Sequence, residues 1–270
     1  MHTYTLYGLR VASALACPEL PPADTADTDA VDVTVDFGPV PGVESESVVA
    51  RQDSPDAFLI AVPGVARYRI RAGREIRIDP APGVDEGAVR LFLLGSAFGA
   101  LLHQRGVTPI HGSAVAVGEA AVIFSGPQGH GKSTLAAAFS RLGHTLLSDD
   151  VCPLTVEGDT VWLHPAYPRL SLLPDAVAHL AVPLAPDDPR QPYSGKHLRR
   201  LTGFECIIAL MGNTYRVQFV REMGQTERHF AALQEIAQRV RVVRAERPAD
   251  SYLLDELVAA ISEDCRQLDS

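Results

Sequence analysis

The sequence predicts an α/β fold in which a small β-rich unit precedes a larger unit of strands and helices. Two observations support this prediction. The first 84 residues contain short β-like stretches separated by turn-rich gaps, several of them with period-two alternation, and no amphipathic helix. Further along, a glycine-rich loop lies between an apolar strand and a helix, and two adjacent aspartates follow the next strand. We therefore expect a β-rich domain at 1–84 and an α/β domain at 85–270.

The β-rich domain is predicted from alternation and turn residues. Residues 31–37 and 66–71 alternate strictly, and 75–80 continue the pattern after the turn Ala72-Gly73-Arg74. Residues 20–29 are rich in Pro, Ala, Asp and Thr, which is typical of a loop.

The second domain begins with a predicted buried helix at 85–104, ended by Gly106. A hairpin of 113–117 and 120–124 is then expected to run into the glycine-rich loop, and a helix at 132–142 to follow it. The apolar residues 145–148 predict a short strand that stops at Asp149-Asp150. Further elements are expected in chain order: a hairpin of 152–156 and 160–163, a loop at 183–195, strands at 205–211 and 217–220, a helix at 226–239, a strand at 240–243 and a helix at 251–268.

Composition excludes several classes of function. The chain carries 33 acidic and 24 basic residues, a formal net charge of -9, which argues against a broad nucleic-acid surface. Its four cysteines are widely scattered and suggest neither a disulfide framework nor a zinc site. The longest apolar run, 91–102, is much shorter than the roughly 20 residues that a bilayer crossing needs. No secretory signal is recognisable, so we expect a cytoplasmic protein without membrane association.

The segment Gly126-Pro-Gln-Gly-His-Gly-Lys132-Ser133 matches the phosphate-binding Walker A pattern at every fixed position. Such a loop turns its backbone N–H groups towards phosphate oxygens at the positive end of the following helix. It predicts binding of a nucleoside triphosphate, with Lys132 on the terminal phosphates and Ser133 on magnesium. The alternative is a glycine-rich turn with a chance Lys-Ser. The residues predicted to contact the nucleotide are Gly126, Gln128, Gly129, His130, Gly131, Lys132, Ser133 and Thr134.

Charged residues outside the loop complete the predicted site. Asp149 and Asp150 are candidates for holding magnesium and for accepting a proton, although either could instead cap a turn. An isolated histidine such as His111 is more often structural than catalytic. Arg169 and Lys196 follow predicted loops and could meet a phosphate or an acidic substrate, or could be solvated surface charges.

The segment from His111-Gly112-Ser113 to Asp149-Asp150-Val151 resembles the catalytic domain of the bacterial HPr serine kinase/phosphorylase family. The His-Gly strand, the Walker A loop, the turn Arg141-Leu-Gly-His144 and the Asp-Asp pair occur in that family's order. The resemblance implies a P-loop kinase core of the HPr kinase and phosphoenolpyruvate carboxykinase type, with ATP and Mg²⁺ as cofactors. It also implies a catalytic His111, Asp149 as general base, Asp150 towards magnesium, and a multimeric assembly.

The Glu-x-Arg-Gly-x-Gly signature of true HPr kinases is absent, and the first domain does not resemble their regulatory domain. Residues 89–106 and the Tyr167-Pro-Arg-Leu170 segment look more like the HPr-kinase-related proteins of lasso peptide biosynthesis. This resemblance implies a serine kinase that acts on a peptide, with the C-terminal serine of a lasso precursor as acceptor. The alternatives are a kinase of an HPr-like carrier protein and a nucleotide-binding regulatory module without transferase activity.

Overall fold

The computed structural model describes residues 1–23, 30–42, 45–166, 198–245 and 254–266, and it has a mixed α/β architecture with separate sheets. In these described ranges, no helix combines the length and the apolar character needed to cross a bilayer. The predicted loop at 183–195 and the candidate residues Arg169 and Lys196 lie outside the described residues.

The first 80 residues contribute a seven-stranded sheet, in the order β1-β2-β3-β7-β6-β5-β4. Neighbouring strands are antiparallel except β2–β3 and β3–β7, which are parallel. The predicted strands at 31–37, 66–71 and 75–80 are confirmed as β3, β6 and β7, because alternate side chains enter the core. The strands are β1 His2–Leu6, β2 Leu9–Ser13, β3 Val33–Phe37, β4 Val49–Ser54, β5 Ala57–Val62, β6 Ala66–Arg71 and β7 Glu75–Pro80.

The predicted helix at 85–104 is confirmed, with an internal irregularity. It consists of α1 (Glu86–Phe92), a π-helical turn (Leu93–Ala97) and α2 (Phe98–Gln104). The Asp85 carboxylate caps its first turn, accepting a hydrogen bond from the backbone N–H of Ala88. The buried side of this helix shares one hydrophobic core with the seven-stranded sheet. The boundary at 84/85 stays a prediction, and this core takes residues from both sides of it.

A second, four-stranded sheet carries the glycine-rich loop. Its strands are β8 (Thr108–Val117), β9 (Ala120–Ser125), β10 (Leu146–Glu157) and β11 (Thr160–Leu163), in the order β11-β10-β8-β9. All neighbours are antiparallel, so β9 and β10 run in the same direction on either side of β8. Both predicted hairpins are confirmed, and the helix at 132–142 is confirmed as α3 (Lys132–Arg141).

The predicted short strand at 145–148 is wrong about where the strand ends. Strand β10 is twelve residues long and passes through Asp149 and Asp150, because the residues of β8 from Thr108 to Val115 pair with it. Aspartate is depleted in strands, so the acidic pair looked like a strand end. The long partner strand overrides that local preference.

The strands predicted at 205–211 and 217–220 are also wrong, since both segments are helical: α4 (Phe204–Gly212) and α5 (Val217–Glu222). A short apolar run has no periodicity that separates a strand from a helix. For α4 the helical form is stabilised by packing on helix α6 (Thr226–Arg239), because Leu210 of α4 and Ile236 of α6 belong to the same hydrophobic cluster. Helix α6 was predicted correctly.

The C-terminal elements agree in part with the prediction. Helix α7 (Leu254–Arg266) confirms the described part of the helix expected at 251–268. The strand expected at 240–243 lies further on, as β13 (Val243–Ala245), and it pairs with β12 (Leu198–Arg200).

Candidate functional site

The glycine-rich loop joins β9 to α3 in a conformation that needs glycine. Gly129 and Gly131 have φ of 80° and 82°, in the left-handed region that other residues avoid. Gly131 is the N-cap of α3, and, as a glycine, it has no side chain to cap that helix. The first N–H groups of α3 therefore stay available to an anion at the positive end of the helix.

Lys132 folds back over this loop. Its ammonium group donates hydrogen bonds to the carbonyl oxygens of Gly126 at 3.0 Å and Pro127 at 3.2 Å. Gln128 and His130 are exposed, and His130 Nδ1 lies 3.2 Å from the Gln128 carbonyl oxygen. Thr134 is half-buried in the first turn of α3. The cation is thus held at the loop, next to the first turn of α3.

Asp149 is joined to the loop by hydroxyl groups. Ser133 Oγ donates a hydrogen bond to Asp149 Oδ1 at 2.9 Å. Ser113, directly opposite Asp149 in β8 and fully buried, donates a second hydrogen bond to the same oxygen. This pair of hydroxyls fixes the carboxylate beside the start of α3.

Asp150 contacts His111 on the neighbouring strand. His111 Nδ1 lies 3.1 Å from Asp150 Oδ1 and 3.0 Å from the Asp150 carbonyl oxygen. Both neighbours are acceptors, so Nδ1 carries the ring hydrogen when the imidazole is neutral. The side chains are 36 % and 57 % exposed, so the pair faces solvent. Sequence reasoning alone favoured a structural His111, and the structure puts it beside the acidic pair.

A residue that sequence reasoning missed is Tyr215, whose ring centroid lies 6.0 Å from that of His111. It follows α4 and is nearly buried, with 9 % exposure. No motif marks it in the sequence, because only the chain path brings it to β8.

Comparison of the chain with protein-family models, with curated proteins and with solved structures found no match.

The described residues contain no group of three or more His, Cys, Asp or Glu side chains placed to hold a metal ion. A magnesium ion bound with a nucleotide does not require one, because it keeps several waters and takes phosphate oxygens as ligands. The Ser133 hydroxyl oxygen and the Asp149 carboxylate oxygen lie 2.9 Å apart. Oxygen atoms of this kind are the ligands that such a small, hard cation prefers.

Groups buried near the site are kept uncharged. Burial raises the pKa of the Cys152 thiol to about 12, and this thiol donates to the Gly112 carbonyl oxygen. Burial lowers the pKa of His103 to about 4 and also lowers the pKa of His229. These three residues therefore act as neutral parts of the core.

A groove of about 320 Å³ lies elsewhere, on the seven-stranded sheet. Its lining includes Arg69 and Arg71, which are paired with Asp53 and Asp56 respectively. It contains none of the loop or acidic-pair residues, so the chemistry argued from the motif does not lie there.

Proposed function

We propose that the protein is an ATP- and Mg²⁺-dependent serine kinase that phosphorylates a peptide. The observation that carries the proposal is the hydrogen bond from Ser133 to Asp149, 2.9 Å long. It brings the last residue of the phosphate-loop pattern together with a carboxylate from another strand. Phosphate-loop enzymes hold the nucleotide's magnesium with such a hydroxyl and carboxylate.

The donor half of the site consists of the loop N–H groups, Lys132, Ser133 and Asp149. The amides and the ammonium group bind the phosphates and offset the negative charge of the transferring phosphoryl group. Magnesium, when bound, supplies further charge neutralisation and orients the phosphate oxygens. Ser133 and Asp149 are the residues that would hold it.

The acceptor half consists of His111 and Asp150, which are exposed beside the donor half. A serine hydroxyl attacks the terminal phosphorus: its O–H bond breaks, a new O–P bond forms, and the bond to the ADP oxygen breaks. The sequence assigned Asp149 as the base and Asp150 to magnesium. The hydrogen bonds favour the reverse, because Asp149 is engaged by Ser133 while the Asp150 carboxylate lies beside His111. We therefore propose that Asp150 accepts the proton.

The proposed acceptor is the C-terminal serine of a lasso peptide precursor. This choice rests on the sequence resemblance of residues 89–106 and 167–170, and the formal net charge of -9 is consistent with an acceptor other than nucleic acid.

The test is incubation of the protein with ATP, Mg²⁺ and a peptide that ends in serine, followed by mass measurement of the peptide. The expected result is one added phosphoryl group, which is absent when the terminal serine is replaced by alanine. An HPr-like carrier in place of the peptide examines the alternative kinase. Nucleotide binding without a phosphorylated product from either acceptor would support a regulatory module and refute the proposal.

A further inference from the structure

A separate chain segment occupies the sheet edge beside the phosphate loop. Strand β9 ends at Ser125, opposite Gly112 of β8. The preceding residues of β8 pair on the same edge with 213–215 instead. The backbone N–H of His111 donates to the Asn213 carbonyl oxygen at 2.7 Å, and that of Tyr215 donates to the Pro109 carbonyl oxygen at 2.8 Å. The segment 213–215 therefore begins where the phosphate-loop strand leaves the sheet.

This pairing puts Tyr215 against the imidazole of His111. Their ring centroids are 6.0 Å apart, with 39° between the ring planes. Asp150 contacts the Nδ1 edge of the same imidazole. The histidine is thus held by an acceptor pair at one edge and by an aromatic ring nearby.

Two glycines of the helix at 86–104 lie against the side chain of Tyr215. A Cβ added to Gly95 would lie 3.1 Å from the Tyr215 hydroxyl oxygen, and one added to Gly99 would lie 3.0 Å from its ring. Gly95 also belongs to the π-helical turn, a local irregularity of a kind found frequently at functional sites. His103 from the same helix donates through Nε2 to the Tyr215 carbonyl oxygen at 2.9 Å. Tyr215 is therefore fixed through both its ring and its backbone.

We infer that Tyr215 is a positioning residue that holds the His111 imidazole with Nδ1 towards Asp150. Its effect on turnover rests on the proposed kinase function, but its effect on the histidine does not. Tyr215 also links the helix that packs on the seven-stranded sheet to the acceptor half of the site, because Gly95, Gly99 and His103 of that helix lie against it.

The first experiment measures the ¹⁵N chemical shifts of the His111 imidazole, which report the nitrogen that carries the hydrogen in the neutral ring. Comparison with His111→Gln identifies the signal among the nine histidines. We expect the Nδ1–H form in the wild type and in Tyr215→Phe, which keeps the ring. Tyr215→Leu should give a mixture of the two forms, since the imidazole is then free to rotate away from Asp150.

The second experiment measures phosphoryl transfer to the serine peptide. Tyr215→Leu should lower kcat by about 10- to 100-fold with little change in KM for ATP. Tyr215→Phe, which keeps the aromatic ring, should have a kcat close to that of the wild type. The matched control is Phe219→Leu, because Phe219 is also a buried aromatic residue, with 2 % exposure, but packs on Phe58 instead. It should lose stability and keep both the Nδ1–H form and kcat.

The outcomes separate the two proposals. If Tyr215→Leu keeps the Nδ1–H form, or Phe219→Leu loses it equally, Tyr215 does not position His111. If the wild type phosphorylates no acceptor, the kinase proposal fails, while the ¹⁵N result still decides the role of Tyr215.

Discussion

Asp150 lies directly opposite Gly112 in the register of β10 and β8, and its φ of 92° is unusual for a residue other than glycine. A non-glycine residue in such a sparsely populated conformation costs about 1–3 kcal/mol unless its surroundings offset the cost. Here the strained residue presents both its carbonyl oxygen and its carboxylate to His111 Nδ1. Because His111 adjoins Gly112, one short stretch of β8 supports both the strand pairing and the histidine.

Gly112→Ala should damage this arrangement. A Cβ at Gly112 would lie 2.7 Å from the Phe124 carbonyl oxygen and 2.9 Å from Ser125 Oγ, so β8 and β9 would have to separate. We expect the free energy of unfolding to fall by about 1–3 kcal/mol, the range for overpacked sites. Urea denaturation measures this. Gly212→Ala, where a Cβ meets nothing within 4 Å and φ, as at Gly112, is not in the left-handed region, is the matched control without crowding. Equal losses in the two variants would show that crowding at Gly112 is not the cause.

Lys132→Ala should strongly slow phosphoryl transfer while the fold remains. The ammonium group contacts only two loop carbonyl oxygens among the described residues, so its loss leaves no buried charge unpaired. We expect kcat/KM for the serine peptide to fall by at least about 100- to 1,000-fold, as for loss of one charge-stabilising donor, with an unchanged Tm. Arg221→Ala, at an exposed cation on α5, is the matched control and should keep activity. Normal turnover in Lys132→Ala would remove this lysine from the mechanism.

Asp149→Asn and Asp150→Asn should differ in their response to magnesium. Asp149 shares a hydrogen bond with Ser133, so its substitution should raise the Mg²⁺ concentration needed for half-maximal rate. Asp150 contacts His111, so its substitution should lower kcat and leave the Mg²⁺ requirement unchanged. Rates measured across a magnesium titration separate these effects. The opposite result, with Asp150→Asn shifting the requirement, would restore the assignment made from the sequence resemblance.

Acid should destabilise the fold through His103. Burial lowers its pKa to about 4 in the folded state, compared with about 6.5 for an unperturbed histidine. The unfolded chain therefore binds the proton more readily. The stabilisation from keeping this ring neutral is complete above about pH 6.5, decreases as pH falls, and is lost once pH passes below about 4.

Thermal melting across this range should show the loss, and His103→Gln should show a smaller decrease between pH 6.5 and 4 than the wild type. His103 donates to the Tyr215 carbonyl oxygen, and glutamine retains a donor for that position. Identical pH dependence in both proteins would exclude His103 as a cause.

The sequence by itself determined the local features. Period-two alternation identified β6 and β7, and the glycine spacing with its flanking apolar strand identified the loop from Gly126 to Ser133. These features follow from residues that are near one another in the chain, so backbone preference and hydrophobic period are sufficient. The same applies to the hairpins, whose turns lie between their own strands.

Only the tertiary structure decided the features that depend on distant partners. Strand β10 passes through Asp149 and Asp150 because β8 pairs with it, and the segment at 204–212 is a helix because it packs on α6. Tyr215 reaches His111 through backbone pairing with β8. A sequence pattern records propensity and period, but it does not show which residue lies opposite on the neighbouring strand. That cross-strand partner sets how far β10 extends, and it places Asp150 beside His111.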